Sequence, residues 1–187
     1  MKISLLKAVC IVVLSFAALQ NVSAQDYHQL TIDDFQGIPR SNTSGVIAYT
    51  NCTIDFRYQA THKNNYYQLD FNIRLLMNRN RSWMDKARVT SPEKLAEILK
   101  HEQGHYLIAY MEQQELLRTV SKTVFHEDYQ YQAQHIFDTI DAKYKQLNID
   151  YDVDTQHMVN RVQQSSWDAY FQRKLAYMPP LAVNENR

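Results

Sequence analysis

The chain has 187 residues, with 20 basic and 20 acidic side chains and no net charge at neutral pH, enough for one domain with a core of its own. No basic stripe marks nucleic acid as a partner, and three glycines in all leave no Gly-rich phosphate loop.

The first 24 residues read as an export signal: Lys2 and Lys7 form a basic start, Ala8 to Leu19 an apolar run, and Val22-Ser23-Ala24 a small-residue cleavage site. The apolar run is too short and wrongly flanked to span a membrane. Lys7, three residues before Cys10, does not suit a lipoprotein signal. The expectation is a secreted or periplasmic mature chain with 18 basic and 20 acidic groups, since Lys2 and Lys7 leave with the signal. No membrane span is expected in it. Its one cysteine, Cys52, falls in a strand pattern and reads as a small buried apolar residue.

Residues 25–178 read as a single domain and 179–187 as a disordered tail. Leu30-Thr31-Ile32 followed by Asp33-Asp34-Phe35-Gln36-Gly37-Ile38-Pro39 predicts a short strand or extended arm closed by a turn. Two strands follow. Val46, Ala48, Thr50, Cys52, Ile54, Phe56 and Tyr58 alternate with polar positions, as do Tyr67, Leu69, Phe71, Ile73, Leu75 and Met77. A loop over residues 61–65 joins them, with His62 solvated in it. Residues 78–89 are irregular and carry Trp83, which either lines a cleft or packs sheet on helix.

Ser91-Pro92-Glu93 starts a helix: Ser caps, Pro takes the first helical position, and an acid follows in the first turn. The helix runs to about Thr119. A second spans about Glu127 to Leu147 and takes in His126 and His135, with His135 off its apolar stripe. Asn148 to Asp154 reads as a polar connection. A third helix starts near Thr155, capped by Asp154 or Thr155, and ends near Ala176. The fold class expected is α+β and zincin-like: a small antiparallel sheet from the N-terminal half, packed on three helices.

The first helix carries His101-Glu102-Gln103-Gly104-His105. Residues four apart share a helix face, so both imidazoles can reach one metal ion, and the intervening carboxylate can meet a water beside it. This is the H-E-x-x-H arrangement of a zinc hydrolase, with Glu102 as general base. Catalytic zinc needs a third protein ligand. A histidine six residues after His105 is missing, since that position is Met111. Glu127 on the next helix and His157 at the start of the third are the candidates.

Several spaced motifs bear on the choice. Leu30-Thr31-Ile32-Asp33-Asp34-Phe35-Gln36-Gly37-Ile38-Pro39, Ser82-Trp83, His101 to His105, and Tyr151-Asp152, Thr155, His157, Gln164 and Trp167 occur in order. In these the chain resembles the predicted secreted zinc-dependent proteases, a bacterial domain family with Leu-Thr-Trp-x-Asp-Phe-x-Gly-x-Pro, Ser-Trp, His-Glu-Gln-x-His and Tyr-Asp-x-x-Thr-x-His-Gly segments. Ile32 replaces the family Trp and Met158 the family Gly. The resemblance implies His157, rather than Glu127, as third ligand to one Zn²⁺. Asp152 and Asp154 then become candidate acceptors for a ligand imidazole N–H, and Tyr151 a candidate donor to an oxyanion.

The function expected is hydrolysis of peptide bonds in a peptide or protein substrate, with Glu102 moving the proton. The alternative is a catalytically silent zinc-binding protein of the cell envelope with a structural or binding role.

Overall fold

The computed structural model describes residues 27–40 and 45–178. The expected signal segment and cleavage site, and the tail from Pro179, lie outside them. Within the described residues the chain is α+β, with small antiparallel sheets and three helices. The strands are β1 (Ala48–Tyr49), β2 (Cys52–Lys63), β3 (Tyr66–Met77) and β4 (Trp83–Met84), and the helices α1 (Pro92–Lys122), α2 (Tyr129–Thr155) and α3 (Arg161–Ala176). None of these helices is long and apolar enough to cross a membrane.

β2 and β3 form a hairpin with Ile54 opposite Leu75, Phe56 opposite Ile73 and Tyr58 opposite Phe71. The expected loop is tighter than its sequence suggests: Asn64-Asn65 alone turns the chain, with Asn64 at φ 40°, a left-handed conformation that asparagine tolerates. The alternating pattern buries side chains only on the half of the hairpin nearest the helices, and residues 59–66 are all exposed.

The single strand expected over residues 46–58 is two. β1 pairs with β4, and β2 starts afresh against β3. The break falls at Thr50-Asn51, where side chains take the backbone out of register. Thr50 turns its hydroxyl to Glu102, and the Asn51 N–H donates to Ser82 Oγ at 2.9 Å.

α1 runs through the middle of the molecule. Ser91 caps it by accepting from Lys94 N–H, with Pro92 at its first turn, as the sequence predicts. One face buries Leu107, Ile108, Met111, Leu116 and Val120 against Ile73 of the hairpin, Ala133, Ile140 and Tyr144 of α2, and Trp167 and Phe171 of α3. The other face buries Ile98, Tyr106 and Tyr110 against Leu30 and Phe35 of the N-terminal arm, Ala48 of β1 and Met84 of β4.

The arm is tied down by two residues. Gln103 of α1 accepts from Leu30 N–H at 2.7 Å and donates to the His28 carbonyl at 3.1 Å. Asp34, 1% exposed, meets Arg79 at 2.9 Å, His28 at 2.9 Å and Thr31 N–H at 2.8 Å. Burial raises the Asp34 carboxyl, but the Thr31, His28 and Arg79 partners outweigh it and hold the group below the usual carboxylate range. Gly37 sits so close to the Ser82 and Asn80 carbonyls that a Cβ there would stand 2.8 Å and 2.9 Å from them. Two of the spaced sequence motifs therefore meet in space.

The largest departure from the sequence reading is at the α2–α3 junction. Residues 148–154 continue α2 as a helix, although their polarity suggests a connection. Tyr144, Tyr151 and Thr155 are buried at helical spacing and extend the apolar face, so the polar residues are its solvent side. The helix ends at Gln156, and Gln156, His157 and Met158 all take positive φ, at 49°, 50° and 76°. α3 is capped neither by Asp154 nor by Thr155 but by Asn160, whose side chain accepts from Gln163 N–H. His157 thus belongs to the reversal after α2, not to the start of a helix. Met158 occupies a left-handed backbone position that costs a non-glycine residue about 1–2 kcal/mol, which accounts for glycine in the resembled pattern.

Candidate metal centre

The third and fourth turns of α1 bring His101, Glu102 and His105 to one wall of a cavity of about 250 Å³. Asp152 and His157 enter from the end of α2, and Tyr49 of β1 and Trp83 of β4 close the opposite wall. Trp83 lines the cavity, the first of the roles open to it in the sequence, and is 4% exposed.

Each α1 imidazole is held through Nδ1. The His101 Nδ1 is 3.1 Å from Gln164 Oε1, and the His105 Nδ1 is 2.7 Å from Asn148 Oδ1. The amide of Gln164 is oriented by its own Nε2, which donates to the Asp168 carboxylate at 3.0 Å. Its oxygen therefore faces His101, and His101 Nδ1 carries the proton. Both rings turn Nε2 inward, and the two Nε2 atoms are 3.3 Å apart. An amide oxygen on the outer nitrogen, fixing ring and tautomer, is the usual support of a metal-binding histidine.

The Asp152 Oδ1 lies 3.3 Å from His101 Nε2, 3.2 Å from His105 Nε2 and 3.1 Å from His157 Nδ1. Ligand atoms of His101, Asp152 and His157 all fall within 4.8 Å of one another. Burial lowers the His105 ring, but Asp152, Glu102 and Asn148 outweigh it and push the group up to about 9. Burial likewise raises Asp152, and the surrounding histidines overcome it and hold the carboxyl far below its ordinary value. Two facing ring nitrogens beside carboxylates form a donor set suited to a divalent transition-metal cation.

Glu102, 3% exposed, is fixed through one oxygen: Thr50 Oγ1 donates to its Oε2 at 2.6 Å. Thr50 was legible in the sequence only as an inward strand position, and nothing local there marks a partner for Glu102. Asn148 is equally silent, and Gln164 is visible only as a position in the resembled pattern, with no role attached, since a supporting amide has no spacing rule.

Three residues expected at the site lie elsewhere. Tyr151 is fully buried behind α1 and does not line the cavity. Its hydroxyl donates to the His101 carbonyl at 3.0 Å and accepts from Gln164 Nε2 at 2.9 Å, and its ring stacks on His101 at 4.8 Å. It supports the His101 turn and has no free donor for an oxyanion. Asp154 accepts from the Trp167 indole N–H at 3.0 Å and so joins α2 to α3. Glu127 is exposed in the α1–α2 turn, at the far end of α1 from His101, about 30 Å away at 1.5 Å per helical residue. His62 and His135 are exposed as expected, with His62 against Tyr67 and His135 stacked on Tyr131, whereas His126, expected in the second helix, is exposed ahead of α2. Cys52 is partly buried, and its thiol is pushed up to about 12 by burial and by Glu102 and Glu112.

Fold and site together define an α+β domain with a histidine–carboxylate cluster at the foot of a cavity. The chain belongs to a bacterial family described as "Bacterial protein of unknown function (DUF922)", whose model matches residues 21–158. The match takes in the strands, α1 and all of α2 and stops at Met158, before α3. No curated protein and no solved structure matches the chain.

Proposed function

We propose that this chain is an exported, zincin-like, zinc-dependent peptidase. The observation that carries the reading is the pair of inward Nε2 atoms of His101 and His105, 3.3 Å apart beside Glu102 in a cavity. His101 and His105 would hold the ion, completed from the α2 reversal by His157. When bound, zinc polarises a carbonyl and lowers the pKa of a water toward neutrality. The chain's own work is positioning and proton transfer. Gln164 and Asn148 keep the imidazoles aimed. Thr50 occupies one Glu102 oxygen, leaving the other to take a proton from the attacking water and return it to the departing amine. Tyr49, Trp83 and Val46 offer an apolar wall for a substrate side chain.

A second reading has one observation in its favour. Asp152 crowds all three imidazoles, and a site with four protein donors resembles a structural zinc centre more than an open catalytic one. The chain would then be a silent zinc-binding protein of the envelope.

The test is the purified mature chain with zinc content measured and a peptide library digested. Glu102→Gln is expected to keep zinc and lose hydrolysis by about 10²–10⁴-fold, the usual worth of a general base. Hydrolysis by Glu102→Gln at the wild-type rate overturns the assignment, and stoichiometric zinc with no cleavage by the wild type selects the second reading.

A further inference from the structure

The geometry points to Asp152 as a direct metal donor, with His157 as the outer one, an inference that rests on the metal-binding reading above. Donors about 2.0–2.1 Å from one tetrahedral ion stand about 3.3–3.4 Å from each other. The three pairwise distances among His101 Nε2, His105 Nε2 and Asp152 Oδ1 are 3.3, 3.3 and 3.2 Å. These three atoms form one complete face of such a tetrahedron.

The side of the ring that Asp152 meets decides its role. A carboxylate that only orients a metal-bound histidine takes the ring N–H pointing away from the ion. Here those outer positions belong to Gln164 and Asn148. Asp152 meets both rings on the inner side, at the nitrogens whose lone pairs converge. A carboxylate oxygen and two ring nitrogens directed at one point offer three donor atoms to a single cation, which displaces any ring proton held between them.

His157 joins through the same oxygen, 3.1 Å from its Nδ1, but with its side chain 49% exposed against 5% for His101 and 12% for His105. Asp152 and His157 are five residues apart across the end of α2, and the His157 N–H bonds back to the Asp152 carbonyl at 3.3 Å. The left-handed reversal therefore delivers both groups to one spot. That spot is a helix C-terminus, where the backbone dipole favours positive charge. His101, His105 and Asp152 make the inner donor set, and the more exposed His157 covers it from the solvent side.

The test is zinc affinity by chelator competition, together with the visible absorption of the Co²⁺-substituted full mature chain, for wild type, Asp152→Asn, Asp152→Ala and His157→Ala. Loss of an outer partner costs about 10–100-fold in metal affinity. Asp152→Ala and Asp152→Asn are expected to lose more than about 100-fold and to change the cobalt band in position and intensity. His157→Ala is expected to lose less than either. Asp152→Asn keeps the side-chain shape and carries the test should Asp152→Ala fail to fold. An Asp152→Asn protein with an unchanged cobalt spectrum and a loss within 100-fold overturns the inference and leaves the metal reading standing. A wild-type chain that takes up neither zinc nor cobalt overturns both.

Discussion

Gly104 and Tyr151 are fitted to each other. The Tyr151 ring lies over the one residue of the His101–His105 turn with no side chain, and a Cβ on Gly104 would come within 2.8 Å of Tyr151 Cε1 and closer still to its hydroxyl. The glycine is needed for close approach, since it lies inside α1 and has no unusual φ. Gly104→Ala should destabilise the protein by about 1–3 kcal/mol, the usual cost of overfilling a core, despite alanine's better helix propensity. In urea unfolding, the Gly104→Ala/Tyr151→Phe double variant should lose less than the sum of the singles. Additive losses would show that the two residues do not meet.

The amides behind the histidines make a separable prediction. Gln164→Leu and Asn148→Leu remove the acceptors at the Nδ1 atoms of His101 and His105. Each should weaken zinc binding by about 10–100-fold without changing the coordinating atoms. Chelator competition reads the loss, and an unchanged cobalt spectrum marks it as loss of orientation. Gln164→Leu should also cost more stability than Asn148→Leu, because Gln164 additionally satisfies the buried Tyr151 hydroxyl.

How far the sequence carries differs between the two halves of the site. His101, Glu102 and His105 are legible because helical periodicity is local, and Ser91-Pro92 places the helix start. Asp152 and His157 are visible as a motif, but their setting is not. The polar run 148–154 mimics a loop, and it is the burial of Tyr151 against α1 and α3 that marks it as a helix face. Thr50, Asn148 and Gln164 act at separations of 52, 43 and 63 residues from their partners. Contacts at such range leave no mark in a single chain. The same holds for the break between β1 and β2, which depends on Ser82 and Glu102 rather than on any breaker at Thr50 or Asn51.

Gln103 gives a test of the N-terminal arm. Its two hydrogen bonds reach backbone atoms at Leu30 and His28. Each is worth about 0.5–1.5 kcal/mol net, so Gln103→Ala should lower stability by about 1–3 kcal/mol. The change should be local first: the Leu30 amide should exchange with solvent sooner than amides in the middle of α1. Equal protection at Leu30 in both proteins would show that Asp34 and its partners hold the arm unaided.

Glu112 supplies a pH dependence of stability. It faces the groove between β2 and α2 with Asp141 and Lys145. Burial, then repulsion from Asp141, raises its carboxyl from 4.5 to about 7, with Lys145 opposing. Between pH 4.5 and 7 the folded chain therefore holds a proton at Glu112 that the unfolded chain has lost. Stability from this group is full below about pH 4.5, falls as pH rises to about 7, and is flat beyond. At about 1.4 kcal/mol per pH unit, the whole swing is at most about 3.5 kcal/mol, and less with the group's partial exposure to solvent. Glu112→Gln cannot ionise, so it should gain on wild type across that window and keep the gain at pH 8. The measurement is the difference between the two proteins in urea midpoint at pH 5, 6, 7 and 8, which cancels the contributions of other titrating groups. A constant difference over that range would show that Glu112 is ionised throughout, with Lys145 outweighing its burial.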